Sequence, residues 1–320
     1  MDKDTTQNVP VSLLNQRVFD YLDRDEVTKV AQASSDYTRI QVREDSFAMK
    51  IVVPEKATDD RLDRDLDERL RIIEELEPDS PAAKWIPFQD IPDGEYIYGS
   101  RYQIPFARIV TPKFTKDIDE LRTYKQDIRK ILTQNAIKDG LAEYDGKFVE
   151  TCVSIVEDTA GATPGQQTFT GKVQWIATSG GLTKDNFVEA KKMLPRGNAQ
   201  GRFRLRNYVA LMNDVTAQDW LKLDHDEIGN ETVTRFFNEG LTTSTYLGMN
   251  CIFTIKDDLV PDNRVWFFAA PEFLGKAYYL TDWTMYMKKE AYFIEMFAYW
   301  LGGFALGNIA GVCVADFDYS

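Results

Sequence analysis

Apolar positions along this chain change period several times, and each change predicts an element. The first 45 residues are polar and mixed in charge, with one amphipathic patch in VSLLNQRVFDYL, and they read as an arm with a short helix. The stretch SFAMKIVVP (46–54) has the apolar density of a strand, ended by Pro54. From Thr58 to Glu77 the period becomes helical: Leu62, Leu66, Ile73 and Leu76 fall at helical spacings with Leu70 between them, and charge fills the other faces. A second extended stretch runs from Glu95 to Val110, so two strand-like limbs enclose a charged helical insert and predict a long projecting loop.

The clearest helix opens after Phe114. Thr115 suits its N-cap, and Asp117, Asp119 and Glu120 suit the positive end of its dipole. Ile118, Leu121, Tyr124, Ile128, Ile131 and Leu132 make one stripe, predicting a helix from Lys116 to Lys138 of ~35 Å. Asp139-Gly140 is expected to interrupt it before a second helical stretch that runs to about Val156. A polar loop (159–171), a strand (173–178) and a helix capped by Thr183 and stopped by Pro195 follow. Then come a strand at 207–212, helices at 216–223 and in ETVTRFF before Gly240, and strands at 249–255 and 264–270 around Pro261-Asp262-Asn263. Helices and strands are interspersed without a regular βαβ series, which is an α+β pattern.

The run MFAYWLGGFALGNIAGVCVA (296–315) is uncharged and long enough to cross a bilayer, and Gly303, Gly307 and Gly311 repeat a GxxxG spacing. No basic cluster follows it, however, and its glycines and Asn308 divide it into short pieces. Buried strands and turns are expected there; a C-terminal membrane anchor is the competing reading.

The 320 residues carry a net charge of −13, which opposes general binding to phosphate. Charge is uneven: Ala57–Ser80 holds ten acidic residues against four arginines. Conversely, KKMLPRGNAQGRFRLR (191–206) holds Lys191, Lys192, Arg196, Arg202, Arg204 and Arg206 and no acid. This strip can be a solvated loop face, a contact for DNA, or a partner for the acidic segment of a neighbouring copy. The last option sets Arg202, Arg204 and Arg206 against Asp63, Asp65 and Asp67 as candidate inter-subunit contacts.

Enzyme chemistry is poorly supplied. The single histidine, His225, lies between Asp224 and Asp226 in a polar stretch, and there is no GxSxG elbow and no HExxH pair. GQQTFTGKV (165–173) misses the phosphate-binding pattern, with five residues between its glycines and Val173 where Ser or Thr is needed. Cys152, Cys251 and Cys313 are too sparse for a disulfide framework or metal clamp, and the aspartates have no calcium-loop spacing. No catalytic residue, cofactor or metal is expected.

The succession of elements resembles the major capsid proteins of tailed double-stranded-DNA bacteriophages, the Hong Kong 97-type capsid fold. SFAMKIVVP and EYIYGSRYQIPFARIV would be the limbs of that family's extended loop, and Lys116–Lys138 its spine helix. GGLTKDNFVEAKKML with NYVALMNDVTAQDWLKL resembles the helix leading into axial-domain strands, while VWFFAAPEFLGKAYYL and NIAGVCVADF are similar to the late strands. The resemblance implies an N-terminal arm (1–45), an extended loop with an acidic helical insert (46–112), a peripheral domain with the spine helix (113–200), and an axial domain with returning peripheral strands (201–320). It also implies a structural role: a homo-oligomer of hexamers and pentamers closing an icosahedral shell around the DNA genome, assembled in the host cytoplasm and without membrane contact. A separate scaffolding protein and a portal protein are expected partners, a decoration protein is allowed, and the resemblance names no cross-linked lysine–asparagine pair. Encapsulin-like nanocompartment shells share the fold and are the nearest alternative.

Overall fold

A computed structural model describes residues 11–64, 66, 69–76, 100–123, 125, 128–157, 173–197, 206–219, 245–246 and 248–318. The predicted helix before Gly240, His225 and the 159–171 loop lie outside them.

Residues 11–45 form not one short helix but two, α1 (Val11–Asp23) and α2 (Val27–Asp45). They do not extend away from the chain: Leu22, Val30 and Val42 are buried in the main core. Arg39 donates through Nε to the Trp283 carbonyl at 2.8 Å, and Ser35 Oγ accepts from the Met285 N–H at 2.8 Å.

The predicted strand at 46–54 is instead a short helix, α3 (Phe47–Ile51), followed by β1 (Pro54–Lys56). Ser46 decides this, because its side chain caps the Met49 N–H. Short apolar runs have no period that separates buried helix from buried strand. The predicted acidic helix at 58–77 is likewise absent: after a 3₁₀ turn (Asp59–Arg61) come β2 (Asp63–Arg64) and β3 (Leu70–Leu76). Strand pairing overrides the helical spacing. β3 lies antiparallel to β4 (Ser100–Pro105), Ile72 is buried opposite Ile104, and Leu66 is left fully exposed.

After β5 (Ala107–Val110), the chain at Phe114–Asp117 forms β6 rather than the start of the long helix. The cap is Asp117, not Thr115, and it opens only a one-turn helix, α4 (Ile118–Arg122). The long helix begins later and is longer than predicted: α5 spans Ile128–Glu157, 30 residues and ~45 Å. Its start is capped from a distance, since the buried Asn15 of α1 accepts from the Ile128 N–H at 3.2 Å. Gly140 does not interrupt α5. Glycine costs ~1 kcal/mol in a helix, but here a Cβ would lie 2.4 Å from the indole of Trp283, so the missing side chain makes room for a buried tryptophan.

β12 (Lys276–Glu290) and β13 (Phe293–Ala305) form a long antiparallel hairpin that α2 and α5 cover on one face. Trp283, Met285, Met287, Ile294, Met296, Ala298 and Trp300 point into that core. β1 lies parallel to β12 on one side; β5 and β6 pair with different parts of β13 on the other.

The second sheet has the order β7-β14-β11-β8-β10-β9. Its strands are β7 (Trp175–Ser179), β8 (Val209–Asn213), β9 (Thr245–Tyr246), β10 (Met249–Thr254), β11 (Arg264–Phe268) and β14 (Val312–Asp318). Both faces are covered, which explains runs such as RVWFF that lack alternation. Helix α6 (Lys184–Gly197), which continues two residues past Pro195, packs Phe187 on Phe267 with ring centres 5.6 Å apart. On the other face Phe148 of α5 meets Phe268 at 5.7 Å and Phe304 of the first sheet at 5.8 Å. The long helix thus joins the two sheets. Helix α7 (Asp214–Gln218) starts earlier than predicted because Asn213 caps the Val215 N–H.

The uncharged C-terminal run is β13, a 3₁₀ turn and β14, as its glycines suggested. Among the described residues no helix is long and apolar enough to cross a membrane. All three cysteines are buried and free.

Candidate assembly surface

Within the predicted extended loop, the β3–β4 pair is fixed at its root to its own subunit more firmly than the sequence suggested. Ile72, Ile104, Ala57 and Tyr278 form a small apolar cluster. Glycines in β13 and beyond it permit the contact: a Cβ on Gly303 would lie 2.0 Å from the Pro105 carbonyl oxygen, and one on Gly307 2.6 Å from the Tyr102 ring. The GxxxG spacing therefore serves close strand packing, not helix pairing.

Polar contacts complete the root. The Glu74 carboxylate accepts from Lys276 Nζ at 2.8 Å and from the Tyr278 hydroxyl at 2.7 Å. Burial alone would raise the Glu74 pKa, but these donors outweigh it and hold the group below its ordinary value of 4.5. A depressed carboxylate contributes stability above its unfolded pKa and loses it as pH falls through the folded value. Lowering the pH below about 4.5 should therefore speed hydrogen exchange in Leu70–Leu76, and Glu74→Gln should flatten that dependence.

A second fixture lies at the middle of α5. Asp145 is completely buried, and its carboxylate accepts from Ser46 Oγ at 2.6 Å, from the Ala48 N–H at 3.2 Å, and from Lys256. It holds together the start of α3, the long helix and the β10–β11 connection. In the second sheet Arg264 makes a two-point pair with Asp316, which also accepts from Trp175 Nε1 at 2.7 Å.

Two surfaces stand out among the described residues. On the face of the hairpin away from that core, the Tyr286 and Phe297 rings lie with centres 5.1 Å apart at a 35° tilt, next to Tyr299, which pairs with the half-exposed Val110. Exposed aromatic groups of this kind mark contact surfaces. The other is a groove of about 590 Å³ beside α6, lined by Val188, Lys191, Lys192, Pro195, Arg206 and Gly248.

Of the six residues proposed from sequence as inter-subunit contacts, the structure describes two. Asp63 lies in β2, half-exposed and 3.5 Å from Arg71, and Arg206 lies at the groove. Arg202, Arg204, Asp65 and Asp67 fall outside the described residues. Nothing brings Asp63 and Arg206 together within one subunit: one belongs to the hairpin on the first sheet, the other to the α6 side of the second. Glu74 and Asp145 escaped the sequence reading because their partners are distant in the chain; Glu74 and Lys276 are 202 residues apart. Among the described residues no group of side chains could hold a metal ion.

No protein-family profile matches the sequence, and no curated protein matches it either. Solved structures do. The chain is similar to a subunit of the bacteriophage PhiM1 mature capsid, with a TM-score of 0.55 at 7% identity, over 85% of this chain and 87% of that one. It is similar to a subunit of the capsid of cyanophage P-SCSP1u, with a TM-score of 0.51 at 9% identity, covering 78% and 84%. The capsid of a native GTA particle gives 0.50 at 14% identity, covering 84% and 89%. At such identities the likeness resides in the backbone, and most of each chain takes part. The likeness shows the fold: this chain has the α+β, Hong Kong 97-type fold of these capsid subunits.

Proposed function

We propose that this chain is a major capsid protein, a structural subunit that closes an icosahedral shell around the double-stranded DNA of a tailed bacteriophage. The observation that carries this is the extent of the likeness to the PhiM1 mature capsid subunit, which leaves little of either chain unmatched. Hexamers and pentamers would be the building units, with separate scaffolding and portal proteins assisting in the host cytoplasm. Residues 1–45, 46–112, 113–200 and 201–320 would serve as arm, extended loop, peripheral domain and axial domain.

Physical features support the reading. A net charge of −13 keeps packed DNA from adhering to the wall. An exposed aromatic sheet face and an open groove supply area for obligate contacts, which can exceed ~2,000 Å² per interface. The folded interior spends its polar groups on structure: Asp145, Glu74 and Asp316 are each engaged by neighbouring donors, which fits a subunit without catalysis. Sedimentation of the expressed chain, alone and with its scaffolding partner, should show uniform particles hundreds of times heavier than 36.7 kDa. Monomers or dimers under every condition would overturn the proposal.

A further inference from the structure

Strand β5 ends the first sheet. It pairs with β13 on one side, and among the described residues no strand pairs with its other side. Register identifies the groups left at that edge. Val110 stands opposite Tyr299, and the next residue, Thr111, donates its N–H to the Ala298 carbonyl at 2.9 Å. Bonded and non-bonded pairs alternate along an antiparallel ladder, so Ala107 and Ile109 turn their backbone groups toward β13 while Arg108 and Val110 turn theirs away. Both outward residues are exposed, Val110 by 52%. The array stops at each end: the Phe106 N–H goes to the Leu70 carbonyl at 3.0 Å, and Pro112 has no N–H to offer.

Space lies beside this edge. A groove of about 920 Å³ runs between β5 and the exposed Asp139, Glu143 and Lys147 of α5, with Tyr144, Trp300 and Phe304 among its lining residues. A strand laid against β5 would enter it.

We infer that the strand is β5 of a second copy, joined antiparallel across a two-fold axis at Ile109. The short outward array selects this partner. A two-fold at Ile109 sets Arg108 opposite Val110 of the second copy, and Val110 opposite Arg108 of the second copy, so the outward N–H and C=O groups of both copies satisfy one another. A longer guest strand would meet Pro112 at one end and the occupied Phe106 N–H at the other. The apolar stem of Arg108 then covers the exposed Val110 of the second copy. The same axis runs the two α5 helices in opposite directions, which turns Glu143 of each toward the Lys147 side of the other. Lys147 also pairs with Glu150 on its own helix. Opposite charges in that order favour the two-fold arrangement. The contact is isologous and closes at two copies. It rests on the shell reading, which supplies the neighbouring copy, and it is too small to hold free subunits together.

Because the axis places Ile109 beside its own counterpart, one cysteine tests it: bridged Cα atoms must come within about 7 Å. The native cysteines are buried and do not interfere. Particles of Ile109→Cys, oxidised and run on a non-reducing gel, should give covalent dimers. Thr115→Cys, at an exposed site farther along the same side of β13, should give monomers, as should free subunits of Ile109→Cys. Intact Ile109→Cys particles without dimers would overturn the two-fold contact while leaving the shell reading in place. Failure of the wild-type chain to form particles would overturn both. A second, independent measurement uses Val110→Pro, which removes an outward N–H without touching the ladder to β13. It should lower particle yield several-fold and leave the circular dichroism of free subunits unchanged, whereas Val110→Thr, which keeps the N–H, should assemble normally. Undiminished yield from Val110→Pro, or unfolding of its free subunits, would show that this N–H does not serve a second copy and would also overturn the contact.

Discussion

Replacing Asp145 with alanine is expected to destabilise the folded chain by about 3 kcal/mol or more, the range for removing one partner of a buried ionic cluster. The carboxylate is inaccessible to solvent and serves three donors from two other parts of the chain. Without it, the Ser46 hydroxyl and Ala48 N–H lose their acceptor in a place water does not reach, which costs ~1–3 kcal/mol per group. Lys256 suffers less, because its side chain is 27% exposed and can turn toward solvent. Asp145→Asn should lose less than alanine, since an amide oxygen still accepts from Ser46. Denaturant titration followed by circular dichroism reads both. Equal midpoints for wild type and Asp145→Ala would show that the cluster does not hold α3 to α5.

Gly303→Ala is expected to damage the root of the β3–β4 hairpin. The new Cβ would lie 2.0 Å from the Pro105 carbonyl oxygen and 2.9 Å from its carbonyl carbon. Both atoms are backbone, so no rotamer change relieves the collision and β4 itself must move off β13. Overpacking costs about 1–3 kcal/mol where side chains can adjust, and the upper end is expected here. Hydrogen exchange should rise in 70–76 and 100–105 before it rises in the second sheet. Particle yield should fall with it, because the root of the proposed extended loop would be displaced. Gly146→Ala on α5 is the control: its nearest contact, Leu259, would be 3.6 Å away. Removing a helical glycine there should stabilise the chain by about 0.5–1 kcal/mol.

These residues also mark where sequence reasoning succeeds and where it stops. The strands of the second sheet were legible because MNCIFTI and RVWFFAA are apolar runs bounded by turn residues, and such runs form buried strands. The Thr183 start of α6 was legible because capping is local, with Thr183 Oγ1 accepting from the Asn186 N–H. The C-terminal run was legible because its glycines and Asn308 divided it.

Misreadings occurred where a distant partner decides. Leu62, Leu66 and Leu70 have helical spacing, yet pairing with β4, nearly 30 residues later, makes the second half of that stretch a strand. The start of α5 was misplaced because its cap, Asn15, stands 113 residues earlier. Gly140 reads as an interruption until Trp283 is seen above it. For the candidate assembly surface, unevenness of charge was visible in the chain, and three residues of its basic strip, Lys191, Lys192 and Arg206, line the groove beside α6. The apolar floor and the exposed position of Leu66 could not be read, since both depend on how separate elements pack.

The central claim is that copies of this chain close into an icosahedral shell. Electron microscopy of particles purified after co-expression with the scaffolding partner tests it most directly. The account predicts uniform closed shells whose reconstruction resolves pentamers and hexamers, with the β12–β13 hairpin and α5 placed in every subunit. Open sheets, irregular aggregates, or a discrete small oligomer whose density fits this same fold would contradict it.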